Sequence, residues 1–359
     1  PILLQWRRLS RNLDLGPYGS AYSLASLSTR SAVYARALRR DPSAQVERLV
    51  DEFLRLLGSP FDESRVAEIK RAAVYHERVR PFLDDGFSRL MDRLRPRVVV
   101  MQSAAYGAWC SLIAIMKSRG ITVAEPQHGW IGPTHAAYNF GRAAFSEHFR
   151  ESFPDELLTF GPYWEEGLKF PGRLVTIGKP AIESAVTKAR GRPPRREVLI
   201  VSSTTDPEEM NAFVRDLRAR TDASRPIRFR PHPSERPVLE DRYGALRSLP
   251  GVEFDLALDV YESLSRAAVV IGIASTVLFE AKAFGCEVLV RESPSNDYYV
   301  GGLFGEPYGG PDAARAMAER INRLEDQTDV GDPGIERDTM WAPDSLGRFR
   351  SWVASRVNP

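Results

Sequence analysis

Apolar positions in the first part of the chain recur at helical spacing. In QVERLVDEFLRLLG (45–58) and DDGFSRLMDRLR (84–95) they return every three or four residues, as on one face of an α-helix. Pro96 ends the second segment, because the residue before a proline avoids helical geometry. The pattern predicts a mainly helical preface over residues 1–95. The apolar run in PILLQW is a candidate for one further strand of the domain that follows.

From Val98 onward, short apolar runs alternate with amphipathic segments. The first runs are VVVM (98–101), ITVAE (121–125), LLTFG (157–161) and LVTIG (174–178). A second series begins at EVLIVSS (197–203) and continues through IRFRPHP, VEFD, VVIGIA and CEVLVRE. Strands that alternate with helices indicate parallel sheets with crossover helices. We therefore predict an α/β protein with two Rossmann-like parallel-sheet domains.

The boundary between these domains is predicted in KARGRPPRRE, which is polar, contains two prolines and has no apolar period. This gives an N-terminal domain over 1–187, a linker over 188–196 and a C-terminal domain over 197–335. The last segment, 336–359, is predicted to form a helix that packs back across the domains. One run of 19 residues without a charge, 98–116, is long enough to span a membrane. Its polar residues and glycine instead divide it into a strand, a turn and a helix.

Composition narrows the function. The net charge is only +2 and no basic block stands out, which argues against a nucleic-acid partner. Cys110 and Cys286 lie far apart in apolar runs, as buried thiols of a cytoplasmic protein do, and nothing near the start is typical of a secretion signal. The preface carries interleaved basic and aromatic residues that form either an ordinary solvated face or a surface resting on anionic lipid. These are Trp6, Arg7, Arg8, Arg11, Tyr18, Tyr34, Arg36, Arg39 and Arg40.

Three polar clusters follow predicted strands. They are QHGWIG (127–132), RFRPHPS (228–234) and GIAST (272–276). Ligands of open parallel sheets bind beyond the carboxyl ends of the strands, where loops and helix N-termini converge. Three such clusters divided between two α/β halves favour a shared cleft that binds a ligand.

The third cluster has the clearest physical reading. Ser275 and Thr276 open a helix, where hydroxyls and unpaired backbone N–H groups suit a phosphate. Glu280, about one turn later, is a candidate acceptor for ribose hydroxyls. The alternative is a plain helix cap, with Glu280 as a surface residue.

The other two clusters each contain a histidine. His232 lies between two prolines that hold it rigidly, and with Arg228 and Arg230 it forms a cationic edge suited to a nucleotide phosphate. The alternative is a turn at the end of a strand. His128 precedes Gly129 and is a candidate general base for an acceptor hydroxyl, since imidazole titrates near neutral pH; the alternative is an ordinary loop residue.

These residues resemble a motif set of the two-domain GT-B glycosyltransferases. The likeness is to bacterial surface-polysaccharide enzymes with a His-Pro motif: polysialyltransferases, CDP-glycerol glycerophosphotransferases and capsule or O-antigen Kdo transferases. It covers about residues 98–300, and ESLSRAAVVIGIASTVLFEAKAFG is its most specific part. One departure is Asp84-Asp85-Gly86, which matches the acidic motif of the polysialyltransferases in letters but lies in a predicted helical segment.

The resemblance implies a role for each cluster. His232-Pro233 and Ser275-Thr276 would contact the phosphate of a cytidine nucleotide, with Arg230 and Glu280 on the same donor side. His128 would act as the catalytic base. Gln127, Gly129, Trp130 and His135 would lie on the acceptor side. The N-terminal domain would then bind the acceptor and the C-terminal domain the nucleotide-sugar, facing each other across a cleft.

The predicted activity is metal-independent transfer of a sugar from a nucleotide donor, of CMP-sugar type, to a carbohydrate or glycolipid acceptor. No cofactor is expected, because no Asp-x-Asp pair follows an apolar strand and no cluster has metal-ligand spacing. Contact with the inner membrane or with polysaccharide assembly proteins is a further prediction. Two alternatives stay open: a non-hydrolysing UDP-sugar 2-epimerase, using carboxylates such as Glu125 and Asp155, and a catalytically silent nucleotide-binding subunit.

Overall fold

The computed structural model describes residues 2–5, 20–23, 30–35, 41–58, 61–190, 195–203, 206–300, 302–324 and 339–357. Its main sheets have four and five strands, and the strands within each sheet run parallel. Helices connect most successive strands. The predicted α/β class with two parallel sheets is confirmed.

The preface contains two long helices and a small sheet. Helix α1 (Ser43–Leu56) packs against helix α2 (Glu63–Leu94), and the side chain of Asp62 caps α2 by accepting from Arg65 N–H. Strands β1 (Ile2–Gln5) and β2 (Ser20–Ser23) pair with each other in a separate sheet. Residues 2–5 of the run PILLQW thus form a strand, but its partner is β2 and not the four-stranded sheet.

The four-stranded sheet contains the first series of predicted strands, in chain order. They are β3 (Val98–Val100), β4 (Thr122–Pro126), β5 (Glu156–Thr159) and β6 (Arg173–Thr176). The central strand β5 is buried along its whole length, because it has a neighbour on each side and apolar residues at its centre. The predicted strands are present, with ends shifted by one or two residues.

The five-stranded sheet contains the second series in the order β11-β10-β7-β8-β9. The strands are β7 (Glu197–Val201), β8 (Ile227–Arg230), β9 (Val252–Phe254), β10 (Ala267–Gly272) and β11 (Glu287–Val290). The chain builds outward from β7 on one side and then crosses to β10 on the other. The order of strands therefore reverses between β7 and β10, and such a switch point is where open α/β sheets bind ligands.

The remaining helices connect or flank the strands. They are α3 (Cys110–Lys117), α4 (Glu147–Arg150), α5 (Pro180–Ala189), α6 (Pro207–Arg220), α7 (Leu239–Tyr243), α8 (Val260–Leu264), α9 (Thr276–Ala283), α10 (Asn296–Tyr299), α11 (Ala313–Asn322) and α12 (Ser345–Val357). Apolar residues of α6 and α11, among them Leu217 and Met317, are buried in one core with residues of β7, β8 and β10. This core fixes the positions of the loops that leave the five-stranded sheet.

Compactness divides the chain into two units. The first consists of residues 1–99, 107–123 and 147–153, and the second of residues 100–106, 124–146 and 154–359. All three polar clusters lie in the second unit. The predicted domains 1–187, 197–335 and 336–359 stay predictions. Of the predicted linker, Lys188 and Ala189 end α5, whereas residues 191–194 lie outside the described residues.

No helix among the described residues has both the length and the apolar content needed to cross a bilayer. The uncharged run 98–116 is divided into β3, a turn and α3, as the sequence predicts. Of the aromatic and basic residues considered for lipid contact, Tyr34 is exposed, and all the others lie outside the described residues. Membrane contact stays a prediction.

Candidate functional site

His128 is exposed in the loop that follows β4, at the carboxyl end of the strand. Its Nδ1 lies 3.8 Å from Oε1 of Glu125, which is fully buried within β4. The separation is too long for a direct hydrogen bond but short enough for an electrostatic interaction with a protonated imidazole. A histidine in contact with solvent is thus paired with a carboxylate beneath it.

The carboxylate of Glu125 is held from two sides. Its Oε2 accepts from Ala105 N–H at 2.7 Å, and its Oε1 accepts from the hydroxyl of buried Tyr138 at 2.6 Å. Burial raises the pKa of Glu125, while the two hydrogen bonds and the nearby His128 oppose that rise. Glu125 is therefore fixed in place and faces the ring of His128.

His135 contacts the same group of side chains. Ala137 N–H donates to its Nδ1 at 3.2 Å, so the proton of the neutral ring is on Nε2, which lies 3.4 Å from the hydroxyl of Tyr106. Burial first, and the charge of His128 second, lower the pKa of His135. These effects favour a neutral ring that acts as a hydrogen-bonding group.

Gln127 and Gly132 serve the loop itself. The buried side chain of Gln127 donates to Gly129 O at 2.9 Å and accepts from Phe160 N–H at 2.8 Å, which joins the ends of β4 and β5. At Gly132, an added Cβ would lie 2.9 Å from Cζ2 of Trp130. The absence of a side chain there accommodates the indole ring.

The third cluster occupies the switch point of the five-stranded sheet. Ser275 caps α9, its Oγ accepting from Val277 N–H at 3.3 Å, so the plain capping role is present. Thr276 is partly buried in the first turn. A Cβ added at Gly129 would lie 3.9 Å from Cγ2 of Thr276. The structure therefore brings the first and third clusters close together.

Glu280 is buried and already has partners. Its Oε1 accepts from Lys179 Nζ at 2.5 Å and from the hydroxyl of Tyr261 at 3.3 Å. The ammonium of Lys179 also lies 4.9 Å from the ring centroid of Phe160. The alternative of Glu280 as a surface residue is wrong, and its role toward ribose stays a prediction.

The second cluster has less free positive charge than its sequence suggests. Arg230, at the carboxyl end of β8, is mostly buried, lies 3.3 Å from Asp255 and donates to Ser263 at 3.2 Å. Arg228 lies nearer the amino end of β8 and pairs with Glu197 and Glu253. Nearby carboxylates therefore offset much of the predicted cationic edge.

His232 is exposed, and its ring is held by a local cap. Its Nδ1 accepts from Ser234 N–H at 3.3 Å. Its backbone N–H donates to the carboxylate of Glu235 at 2.9 Å, and a 3₁₀ turn begins at Pro233. With Nδ1 as acceptor, the proton is on Nε2, a suitable donor to a phosphate. The ends of β8 and β10 are two strands apart, about 10 Å. The turn-forming role is present, and phosphate binding stays a prediction.

Several residues of this region have only weak signals in the sequence. Tyr138 and Lys179 lie outside the polar clusters, and Tyr298 and Tyr299 come from α10, far along the chain. Ser202 follows β7, which lies between β8 and β10 in the sheet. It belongs to a polar run that the sequence indicates as the end of a strand. Among the described residues, no group of three or more His, Cys, Asp or Glu is placed to hold a metal. Metal independence stays a prediction.

No protein-family model matches the chain, and no curated protein matches it in sequence. Several solved structures are similar. A putative UDP-N-acetylglucosamine 2-epimerase from Listeria monocytogenes is 13% identical, with 79% of each chain covered and a TM-score of 0.48. The UDP-GlcNAc 2-epimerase from Neisseria meningitidis, bound to UDP-GlcNAc, is 10% identical over 77% of this chain and 81% of that one, with a TM-score of 0.48.

A pneumococcal O-GlcNAc transferase, GtfA, in complex with UDP and GlcNAc, is 10% identical over 76% of this chain and 60% of that one, with a TM-score of 0.46. Two of these three proteins are 2-epimerases, the class held above as an alternative, and one is a glycosyltransferase. At such identities the likeness concerns the fold alone.

Proposed function

We propose that this protein transfers a sugar from a nucleotide-activated donor to a hydroxyl group of a saccharide acceptor, with His128 as general base. The observation that carries the proposal is exposed His128 above the buried carboxylate of Glu125, at 3.8 Å. The next residue, Gly129, lies beside Thr276 at the amino end of α9. The candidate base and the amino end of α9, the candidate phosphate site, are therefore close enough to serve one reaction.

The proposed step moves one proton and one glycosyl group. His128 takes the proton of the acceptor hydroxyl while the oxygen of that hydroxyl attacks the anomeric carbon of the donor. The bond from that carbon to the phosphate oxygen breaks, and the phosphate leaves with the electron pair. Backbone N–H groups at the start of α9, with Thr276 and His232, would stabilise the leaving phosphate. Glu125 would stabilise the imidazolium that forms.

The carboxylates considered for 2-epimerisation are poorly placed for it. Moving a proton at C2 of a sugar needs an acid and a base within reach of that carbon. Glu125 is fully buried and accepts two hydrogen bonds. Asp155 precedes β5, at the opposite end of that strand from Phe160, the residue that bonds Gln127. Because both enzyme classes occur among the similar structures, the assay must still separate them.

The decisive experiment compares His128→Ala with His148→Ala, a matched control whose side chain is exposed in α4. Donor panels of CMP-, UDP- and GDP-sugars are tested with and without acceptor saccharides. We expect His128→Ala to lower transfer about 10²- to 10⁴-fold, since that is the usual contribution of a general base, with nucleotide affinity unchanged. Full transfer by His128→Ala would remove this residue from the mechanism. An epimerised sugar formed without any acceptor would establish the alternative.

The donor class needs its own measurement. The cytidine preference follows from the resemblance alone, whereas the Neisseria and pneumococcal proteins were solved with UDP or a UDP-sugar. Thermal unfolding with CMP, CDP, UDP and GDP side by side should show one clear responder, with about 2.7 kcal/mol of stabilisation at ~100 times the dissociation constant. We expect the response to weaken in His232→Ala. No response to any of the four would contradict a donor built on a cytidine, uridine or guanosine nucleotide.

A further inference from the structure

Five aromatic rings form a continuous group next to His128. Trp130 lies 5.3 Å from His135, 5.2 Å from Tyr298 and 5.0 Å from Tyr299, centroid to centroid. Tyr106 lies 5.9 Å from His135 and 5.9 Å from His128. We call Tyr106, Trp130, His135, Tyr298 and Tyr299 the aromatic wall.

Much of the aromatic wall faces solvent. Tyr106, Tyr298 and Tyr299 are 47%, 41% and 39% exposed, which is high for residues that pack together. Clustered exposed aromatics are uncommon on soluble proteins unless they bind something. Since Tyr106 touches the ring of the proposed base, a ligand on the wall would lie beside the reacting hydroxyl.

The wall is held in place by its neighbours. The indole of Trp130 lies over Gly132, where a Cβ would be only 2.9 Å away. Asn139 donates to Gly132 O at 2.7 Å and to His135 O at 3.0 Å, which secures the loop. Thr134 donates to Tyr298 O at 3.0 Å, which joins this loop to α10. A binding surface fixed in this way loses little freedom when it takes a ligand.

The chemistry of the wall suits a sugar ring. One face of a pyranose presents C–H groups, which pack on aromatic rings, while its edges carry hydroxyls. Tyrosine offers both an apolar face and a hydroxyl that donates and accepts. None of the five residues is Asp, Glu, Lys or Arg, and the pKa of His135 is lowered, so the wall suits a neutral ring.

We propose that the aromatic wall is the acceptor subsite, stacking a neutral pyranose so that one of its hydroxyls meets His128. The role of that hydroxyl rests on the proposed function, whereas stacking on the wall does not. The competing interpretation is that these rings only pack loops together. Binding of free sugars separates the two.

The test is saturation-transfer NMR on the whole protein with methyl glycosides of glucose, galactose, mannose and N-acetylglucosamine. We expect saturation of ring C–H protons in at least one glycoside. Trp130→Ala and Tyr299→Ala should weaken that binding about tenfold, while Trp130→Phe keeps most of it, because an aromatic face remains. Tyr75→Ala, at an exposed tyrosine of α2, is the control and should bind as the wild type does.

The outcomes distinguish failure of the subsite from failure of the proposed function. Absence of saturation for all four glycosides, or equal binding by wild type and Trp130→Ala, overturns the subsite. Because Trp130→Ala risks disturbing the loop, Tyr299→Ala gives an independent reading, and its CMP and UDP binding is measured in parallel. Glycoside binding without any nucleotide binding would support the subsite and contradict the proposed function. Nucleotide binding and transfer without glycoside binding would support the proposed function and contradict the subsite.

Discussion

Glu125 is the residue whose environment most changes the interpretation of the site. In the sequence it is one acidic letter in ITVAEP, usable as an exposed carboxylate for an epimerase. In the structure it is buried, accepts from Ala105 and Tyr138, and faces His128. Burial disfavours a charge, so a carboxylate kept there is expected to have a use. Its use in the proposed mechanism is to stabilise protonated His128.

The raised pKa of Glu125 predicts a pH dependence of stability. A carboxyl whose pKa lies above its ordinary 4.5 in the folded state binds its proton more tightly there than in the unfolded chain. Its contribution to the free energy of unfolding is therefore greatest below pH 4.5 and is lost as pH rises through the folded pKa. Urea unfolding of wild type and of Glu125→Gln at a series of pH values measures this contribution as the difference between their free energies of unfolding. We expect that difference to fall as the pH rises from 4.5 through the folded pKa. A difference that stays flat contradicts the prediction.

The lowered pKa of His135 predicts the opposite dependence of stability on pH. Its pKa is lowered below its ordinary 6.5 in the folded state, mainly by burial. Its contribution to the free energy of unfolding is then fully present above pH 6.5 and is lost as pH falls through the folded pKa. The same urea series on His135→Gln should show wild type losing stability relative to the variant on acidification. A relative gain on acidification would show that the sign is wrong.

Gly132 is explained by packing. A Cβ there would meet Cζ2 of Trp130 at 2.9 Å, so the indole must move. We expect Gly132→Ala to lower the free energy of unfolding by about 1–3 kcal/mol, the usual cost of overpacking. Gly141→Ala is the control, because no atom lies within 4 Å of an added Cβ there. Equal unfolding free energies for the two variants would show that Trp130 adapts without cost.

Among the helices, α9 links most of the site. Its cap at Ser275 and its start at Thr276 were predictable, because hydroxyl residues between a strand and an apolar segment are typical N-caps. Its buried Glu280 was not, because burial depends on Lys179 and Tyr261, which are distant in sequence. A local pattern identifies a helix end and leaves open what packs beside it.

The ion pair of Lys179 and Glu280 gives a test of that packing. Removing one partner leaves the other without compensation, so Lys179→Met should cost on the order of 2 kcal/mol, less than a fully buried pair because Lys179 keeps some exposure. The double variant Lys179→Met/Glu280→Gln should recover much of the loss. Urea unfolding of the two single variants and the double variant measures the coupling. Additive losses would mean that the pair contributes nothing.

At the scale of the whole molecule, the C-terminal segment returns to the four-stranded sheet after the chain has completed the five-stranded sheet. Glu183 of α5 accepts from Asp344 N–H and Ser345 N–H, each at 3.0 Å. Trp352 of α12 donates to the buried Glu156 of β5 at 2.5 Å. These bonds join the start of α12 to α5 and α12 itself to the four-stranded sheet, whereas packing of this segment across the domains stays a prediction.

This attachment predicts a stability contribution from Trp352. Trp352→Phe keeps the ring and removes the donor to Glu156, which leaves a buried carboxylate less satisfied, so we expect a loss of about 1–3 kcal/mol. Leu346→Ala, at an exposed position of the same helix, is the control. Thermal unfolding of both variants provides the measurement. A loss in Leu346→Ala as large as in Trp352→Phe would locate the contribution elsewhere.

The order of strands β3 to β11, the two parallel sheets and the clusters at the strand ends were readable from the chain, because periodicity and capping are local. So was His128 as a candidate base. The pairing of β1 with β2, the closeness of Gly129 to Thr276 and the partners of Glu125 and Glu280 were not. These depend on which strands become neighbours and on side chains that meet from segments far apart along the chain. No local pattern encodes that choice, because it is made by the burial of many distant apolar residues at once.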